Sequence, residues 1–296
     1  MQRFMIDQFL DYLRYERNRS ELTVKRYEDS LRDFQKYLEE TEEGLSWTSV
    51  DADVIRGWME SLMDRGSNAS TVNTGLSALR SFFRYALARK MVNRDPAHMI
   101  TGPKKRKPLP QFVKEEEINR LLDKTEWGDD YKDVRARTII ITLYEAGLRR
   151  SELIGLNNSD VNLDAMQLKV TGKRNKQRII PFGTELAEQL KQYITCRDEQ
   201  IAKRSEALFL NTKGERISET EVYNTVRENL AKVTTLKKKS PHVLRHSFAT
   251  AMLNHDAGLE SVRKLLGHES LETTQIYTHT TFEQLKRVYK EALPRD

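Results

Sequence analysis

Ser240-Pro241-His242-Val243-Leu244-Arg245-His246-Ser247-Phe248-Ala249-Thr250 opens the last quarter of this 296-residue chain. It leads through a turn to Leu265-Leu266-Gly267-His268 and then to Thr273-Thr274-Gln275-Ile276-Tyr277-Thr278-His279. Ser240 suits a helix N-cap, and Pro241 suits the first helical position, where a missing N–H costs nothing. His242 and Arg245 lie three apart and therefore share a helix face. A helix start offers free N–H groups and a partial positive charge, which favour an anion. The planar fork of Arg245 matches phosphate oxygens. Leu244, Phe248, Ala251 and Met252 form the stripe that would be buried. The turn-rich run 254–258 ends this helix, a second is expected over 259–266 with Gly267 as its stop, and Ser270 would cap a third that carries Tyr277. Two histidines, an arginine and a tyrosine at these intervals suit a site that grips a phosphate and attacks it.

Each residue also has a plainer explanation. A lone His-x-x-Arg arises by chance in many helices, and one tyrosine among eleven is ordinarily packing or surface. His246, His255 and His279 read as surface or supporting groups. The combination carries the argument. The segment resembles the C-terminal signature of the tyrosine site-specific recombinases, the lambda-integrase-like family, and within it the XerC/XerD type. The resemblance implies catalytic roles for His242, Arg245 and His268, with Tyr277 as nucleophile.

Bulk composition is consistent with this. A chain of this length accommodates one large or two ordinary domains. No run of 18 apolar residues is present, so no membrane span is expected. The first residues lack the apolar core of a signal peptide. A single cysteine, Cys196, excludes an internal disulfide and a cysteine-based metal cluster and fits a reducing cytoplasm. Net charge is +6, compatible with a polyanionic partner. Residues 1–100 hold 15 Lys/Arg against 16 Asp/Glu, so the excess belongs to the remaining 196 residues.

Working back to the N-terminus, residues 1–100 read as an all-helical module. The i, i+3, i+4, i+7 pattern of Ile6, Phe9, Leu10 and Leu13 predicts a helix over 4–17. Tyr27, Leu31, Phe34 and Leu38 predict a second over 23–40, capped by Ser20 or Thr23. Asp51 or Asp53 starts a third with Val54, Trp58 and Leu62 inward. Residues 66–68 turn the chain into a fourth over 70–89, with Val72, Leu76, Leu79, Phe83 and Ala86 inward. The family resemblance implies that this domain clamps DNA opposite the catalytic domain, with Arg26, Asn73, Arg80 and Arg84 as contacts. Without it, a helical bundle with solvated charges explains the pattern equally well. Residues 101–110, Thr-Gly-Pro-Lys-Lys-Arg-Lys-Pro-Leu-Pro, read as an extended basic linker. Lys104, Lys105, Arg106 and Lys107 there would add phosphate contacts.

The third stretch, 111–296, would be the catalytic domain. A helix over 114–124 buries Ile118, Leu121 and Leu122. An apolar helix over 133–145 breaks at Gly147, a C′ glycine. Gly147-Leu148-Arg149-Arg150-Ser151-Glu152-Leu153 resembles the family's first arginine motif, which assigns Arg149 a catalytic role and makes Glu152 its supporting acid. Arg150 occupies a variable position and receives no role. Two strand-like runs, 167–170 and 178–181, flank Gly172-Lys173-Arg174-Asn175-Lys176-Gln177. This resembles the family hairpin Gly-Lys-Gly-Asn-Lys-x-Arg. Lys173 then maps to the catalytic lysine, with Lys176 its rival and Arg174 standing where glycine is common. Residues 208–211 suggest a further strand. The expected fold is therefore mainly α, with a small β-sheet in the C-terminal domain.

The implied chemistry is metal-free and cofactor-free phosphoryl transfer on double-stranded DNA. Attack by Tyr277 gives a 3′-phosphotyrosyl link, and strand exchange passes through a four-way (Holliday) junction. Implied partners are the chain itself or a second Xer-type recombinase, as a tetramer on two DNA sites, and an FtsK-type translocase. The compact two-domain organisation favours resolution of chromosome dimers at a dif-like site by a cytoplasmic, nucleoid-associated enzyme. A mobile-element integrase is the nearest alternative. A topoisomerase with similar chemistry, a non-catalytic DNA-binding regulator and a metal-dependent nuclease are weaker, the last because no acidic or histidine set has metal-ligand spacing. The apolar stripe Phe282, Leu285, Val288 and Tyr289 after the nucleophile is expected to dock on a neighbouring subunit or on its own.

Overall fold

The computed structural model describes residues 2–41, 45–105, 111–172, 175–267, 289, 291 and 292. It divides into two compact units, Met1–Pro108 and Leu109–Asp296. The architecture is mainly α, an all-helical N-terminal unit and a mixed α/β C-terminal one, as the sequence predicts.

The first unit contains α1 (Gln2–Asp11), α2 (Glu21–Thr41), α3 (Ala52–Asp64) and α4 (Ala69–Ala88). Its core is aromatic. Trp47 and Phe82 lie 4.4 Å apart, and Phe34 meets Trp58 edge-on at 5.1 Å. The Trp58 indole donates to Asp33 Oδ2 at 2.8 Å, which satisfies the one polar atom this ring carries into the core. Two helices start on side-chain caps: Asp51 Oδ1 accepts from Asp53 N and Val54 N, and Asn68 Oδ1 from Ser70 N and Thr71 N.

Three expectations shift. The helix predicted over 4–17 ends at Asp11 and continues as a wider π turn, Tyr12–Glu16, closed by Arg17 N donating to Tyr12 O at 3.0 Å; Leu13 stays buried through it. In α3 the buried stripe is Ile55, Trp58 and Met59, with Val54 and Leu62 only partly covered. The expected linker, 101–110, begins against the first unit at Pro103, and the segment that leads to it packs there too. Ala97 and Ile100 are buried in its core. Arg80 donates to the carbonyls of Ala97 and Ile100, and Asn73 donates to Pro103 O at 2.9 Å.

In the second unit α6 (Tyr131–Glu145) is the buried axis, preceded by α5 (Glu115–Asp123). Its Thr138 and Thr142 hydroxyls donate to the carbonyls four residues back, which lets polar residues enter the core. After α7 (Arg150–Gly155) come β1 (Val161–Asn162), β2 (Gln167–Thr171) and β3 (Gln177–Pro181), an antiparallel sheet in sequence order. Leu168 pairs with Ile180 and Val170 with Arg178. Helices α8 (Thr184–Gln200), α9 (Glu219–Ala231), α10 (Pro241–Asn254) and α11 (Leu259–Leu266) complete the described elements.

Residues 208–211 do not form the expected strand and make only an isolated bridge, Leu210 with Arg216. Side chains occupy the carbonyls a ladder would use. Leu210 O accepts from Tyr131 and Arg135, and Leu208 O from Tyr193 and the buried Arg197.

Gly147 ends α6 with φ +57°, and a Cβ there would lie 2.4 Å from Phe248 Cδ1 and 3.1 Å from Leu266 Cδ2. Both backbone conformation and space demand glycine. Gly147→Ala is expected to destabilise the second unit by about 2–4 kcal/mol, summing an αL cost and an overpacking cost. A denaturant titration followed by circular dichroism reads this as a lower midpoint for that unit.

Candidate active site

Helix α10 begins at Pro241 with Ser240 in the N-cap position, but the cap differs from expectation. The Ser240 hydroxyl makes no capping bond; it is buried and has no hydrogen-bond partner among the described residues. Val243 N instead donates to the Ser240 carbonyl at 2.9 Å. His242 is exposed on the first turn. Partial desolvation and the nearby cations Lys238, Arg150 and Arg245 hold its imidazole below the ordinary pKa, so it is mostly neutral at pH 7.

Arg245, one turn on, is buried, and the helix places its guanidinium between two chain ends. Nη1 donates to Gly147 O, just past α6, at 2.7 Å, and Nη2 donates to Leu266 O, at the end of α11, at 2.6 Å. Burial and the neighbouring Arg149 and Arg178 cations lower its pKa to about 10, against the pull of Glu152. It is therefore still charged at neutral pH.

Arg149 precedes α7 and Glu152 lies in its first turn. Glu152 Oε2 accepts from Arg149 N at 2.8 Å, which closes the helix start, and Oε1 accepts from Arg149 Nη1 at 2.7 Å. Arg178, on β3, grips the same carboxylate with two parallel bonds, Nη1 to Oε1 at 2.9 Å and Nη2 to Oε2 at 3.0 Å. Arg245 Nη1 stands 3.6 Å from Oε2. One carboxylate thus faces three guanidiniums, leaving two uncompensated positive charges. Exposure decides which of them a ligand can reach: the side chain of Arg149 is 36% exposed, those of Arg178 and Arg245 16% and 8%.

Sequence reasoning gave Arg178 no role. Its signal was available, because it occupies the final arginine of the Gly-Lys-Gly-Asn-Lys-x-Arg pattern; only its partner, far away in sequence, was not. Of the other residues singled out, Lys173, His268, Tyr277, Arg106, Lys107 and His279 lie outside the described residues, as does the stripe at 282, 285 and 288. The β2–β3 turn is closed by Gly172 N donating to Lys176 O at 2.8 Å, and Lys176 itself is exposed. Arg26, Arg84, Lys104 and Lys105 are exposed, whereas Asn73 and Arg80 spend donors on the segment that follows α4. Arg150 pairs with Glu219, and His255 with Glu115 at 3.2 Å. Cys196 is buried, and burial and nearby carboxylates raise its thiol pKa. Among the described residues no group of three or more His, Cys, Asp or Glu is arranged to hold a metal ion, and no helix is long and apolar enough to cross a membrane.

Burial raises the Glu152 pKa, but the hydrogen bonds from Arg178 and Arg149 outweigh it and bring it to about 2. Because the folded-state value lies below the unfolded one, the resulting stability is complete above about pH 4.5 and is lost as pH falls toward 2. At ~1.4 kcal/mol per pKa unit it amounts to roughly 3 kcal/mol. Glu152→Gln is expected to lose about that much at pH 7 and to flatten the acid side of the stability–pH curve, measured by urea unfolding from pH 7 down to pH 3.

Residues 111–284 match the phage integrase family, and residues 6–90 match the phage integrase N-terminal SAM-like domain. The chain is 37% identical over 291 residues to a tyrosine recombinase XerC of Psychromonas ingrahamii, covering 98% of this chain and 96% of that one. It is 34% identical over 298 residues to a tyrosine recombinase XerD of Oceanobacillus iheyensis, covering the whole of both. The fold is similar to that of the XerH site-specific recombinase bound to difH substrate in a pre-cleavage complex, with TM-score 0.70 and 25% identity over 95% of this chain and 82% of that one. With a family match over most of its second unit and relatives along its full length, this chain belongs to the phage integrase family, the tyrosine recombinases that cleave and rejoin DNA strands.

Proposed function

We propose that the protein recombines DNA at a dif-like site and so resolves chromosome dimers, working in the cytoplasm on the nucleoid. The observation that carries this reading is the guanidinium cluster around Glu152, with Arg149 exposed beside a fixed, charged Arg245. Two cations held in place before any substrate arrives suit a phosphodiester whose transition state gathers negative charge. The names of the relatives, XerC and XerD, and the difH substrate of the solved relative favour the chromosomal role.

In this mechanism the Tyr277 hydroxyl attacks the scissile phosphorus. A P–O bond to tyrosine forms, the bond to O5′ breaks, and a 3′-phosphotyrosyl link remains. Arg149 and Arg245 stabilise the phosphoryl oxygens, with His242 and His268 adding hydrogen bonds. Lys173 gives a proton to the departing O5′. The depressed pKa of His242 makes it a neutral imidazole at pH 7, able to accept a proton as well as donate a hydrogen bond. The tyrosyl ester conserves the energy of the phosphodiester, so the 5′-hydroxyl of a second strand reseals it without a cofactor. Exchange of both strands takes four active sites on two duplexes, supplied by this chain alone or with a second Xer-type recombinase. An FtsK-type translocase and the tail at 282–292 would control which sites fire.

Arg26, Arg84, Lys104, Lys105, Arg106 and Lys107 are assigned to the DNA backbone. Asn73 and Arg80 are assigned to fixing the segment after α4, since their donors already serve its carbonyls. Replacing Lys104 and Lys105 together by alanine is expected to reduce the slope of log affinity against log salt by about 2, at ~0.9 per phosphate contact. Arg80→Met should leave that slope unchanged and lower the stability of the first unit. Gel-shift titrations across a salt series read the slopes.

The chemistry is tested with a nicked suicide duplex bearing a dif-like site, in chelator, with and without a partner recombinase. The native chain should form a covalent protein–DNA species on a denaturing gel, and Tyr277→Phe should form none. Persistence of the species in Tyr277→Phe would remove Tyr277 as nucleophile. Tight binding with no covalent species on any such site would favour a non-catalytic DNA-binding protein.

A further inference from the structure

We infer that Arg178 is a charge-compensating residue for DNA cleavage. By engaging the Glu152 carboxylate in a bidentate pair, it leaves Arg149 and Arg245 their full positive charge for the scissile phosphate, which Arg178 itself does not contact. The inference rests on the proposed reading of Arg149 and Arg245 as the cations that meet that phosphate.

Glu152 solves one problem and creates another. Its carboxylate sets the pose of Arg149, accepting from the backbone N–H at 2.8 Å and from Nη1 at 2.7 Å. It also lies 3.6 Å from Arg245 Nη1. A full negative charge that close to both cations works against an incoming anion. Arg178 offsets it. Its Nη1 and Nη2 donate to Oε1 and Oε2 at 2.9 and 3.0 Å, the fork geometry that matches a carboxylate. Burial opposes ionisation of Glu152, and the bonds from Arg178 lead those that keep it ionised. Three guanidiniums and one carboxylate leave this cluster a net charge of +2; without Arg178 it would be +1.

Arg178 is also held away from a ligand. Its Nε donates at 2.9 Å to Leu265 O in the last turn of α11, where a cation meets the negative end of the helix dipole. A Cβ at Gly267 would stand 3.2 Å from Nη1, so the exit of α11 closes over the guanidinium. Held from both sides and mostly buried, Arg178 acts through Glu152.

The consequence is electrostatic. A tyrosine oxygen that sheds its proton approaches a phosphodiester that is already an anion, and nearby cations offset the repulsion. Loss of one unit charge a side chain further out, at an effective dielectric constant of ~20, is expected to slow cleavage by about 10- to 100-fold.

The test follows single-turnover cleavage, at saturating protein, of a nicked duplex that the native chain cuts. A second duplex carries a methyl group in place of one non-bridging oxygen of the scissile phosphate. In both, tyrosine oxygen bonds to phosphorus and O5′ departs with a proton; only the charge of the reacting group differs. Rates are compared for the native chain, Arg178→Gln, Arg178→Lys, Arg149→Gln and the double variant Arg178→Gln/Glu152→Gln. On the ordinary phosphate Arg178→Gln should be about 10- to 100-fold slower than native. Arg178→Lys, which keeps the charge and loses the fork, should stay within about 5-fold of native. The double variant removes both charges of the pair, and its amide oxygen can still accept from Arg149 N. It should therefore cleave at least about 5-fold faster than Arg178→Gln. On the neutral methylphosphonate Arg178→Gln should come within about 3-fold of native.

A residue that only holds the fold together would make the double variant the slowest and would slow both substrates alike; either result would overturn the inference. So would Arg178→Lys as slow as Arg178→Gln, or native rates in Arg178→Gln. Arg149→Gln separates this inference from the reading beneath it, and should be slow on the phosphate and rescued on the methylphosphonate. Without that rescue, the reading of Arg149 falls and the inference with it. With that rescue but none for Arg178→Gln, the inference alone falls. Should Arg178→Gln not fold, Arg178→Lys and the double variant carry the test: both are expected within about 10-fold of native on the phosphate, and slower rates in both would overturn it.

Discussion

A buried carboxylate shared among three guanidiniums fixes the geometry of the second unit's functional end. Glu152 is 4% exposed, and burying a charge is costly unless it is paired and hydrogen-bonded. Here each oxygen has a charged partner, and the backbone of Arg149 adds another donor. These bonds reach from α7 to β3, and Arg245 extends the cluster through the carbonyls of Gly147 and Leu266 to the ends of α6 and α11. The α6–α7 junction, β3, α10 and the end of α11, four segments separated in sequence, thus converge on one charge.

The arrangement divides labour between arginines of the same chemistry. Arg178 and Arg245 are held from several sides and mostly covered, while Arg149 keeps substantial exposure beside them. Excess positive charge is therefore present and oriented before DNA binds. In the proposed mechanism, a site organised in advance avoids reorganisation during the reaction, which is where electrostatic stabilisation of a phosphoryl transition state gains its advantage over water. The cost falls on the fold: burial and like charges lower the pKa of Arg245, and a glycine with positive φ is needed at Gly147 to let Phe248 and Leu266 approach.

Local signals in the sequence were strong where chemistry is local. The stop of α11 at Gly267 followed from a glycine that adopts φ +63°, and the buried stripe of Leu244, Phe248, Ala251 and Met252 followed from helical spacing. What escaped depends on contacts remote in sequence. Residues 208–211 have strand-like composition, yet tyrosine and arginine side chains from α6 and α8 claim their carbonyls. Asn73 and Arg80 look like solvent-facing polar residues on α4 until the chain returns at Ala97–Pro103 to meet them. Ser240 is the usual residue type for a cap, but burial turns its hydroxyl away from that task. Arg178 stood within a recognisable pattern, and its partner, 26 residues earlier, became visible only in the fold.

The central claim is that Glu152 and its guanidiniums act as one unit, and a double-mutant cycle tests it directly. Unfolding free energies of the second unit would be measured for the native chain, Glu152→Gln, Arg178→Gln and the double variant. A single unit predicts that the double variant loses far less than the two single losses combined, with a coupling on the order of 1–3 kcal/mol. Additivity within about 0.5 kcal/mol would mean that the two side chains contribute independently, and would contradict the account.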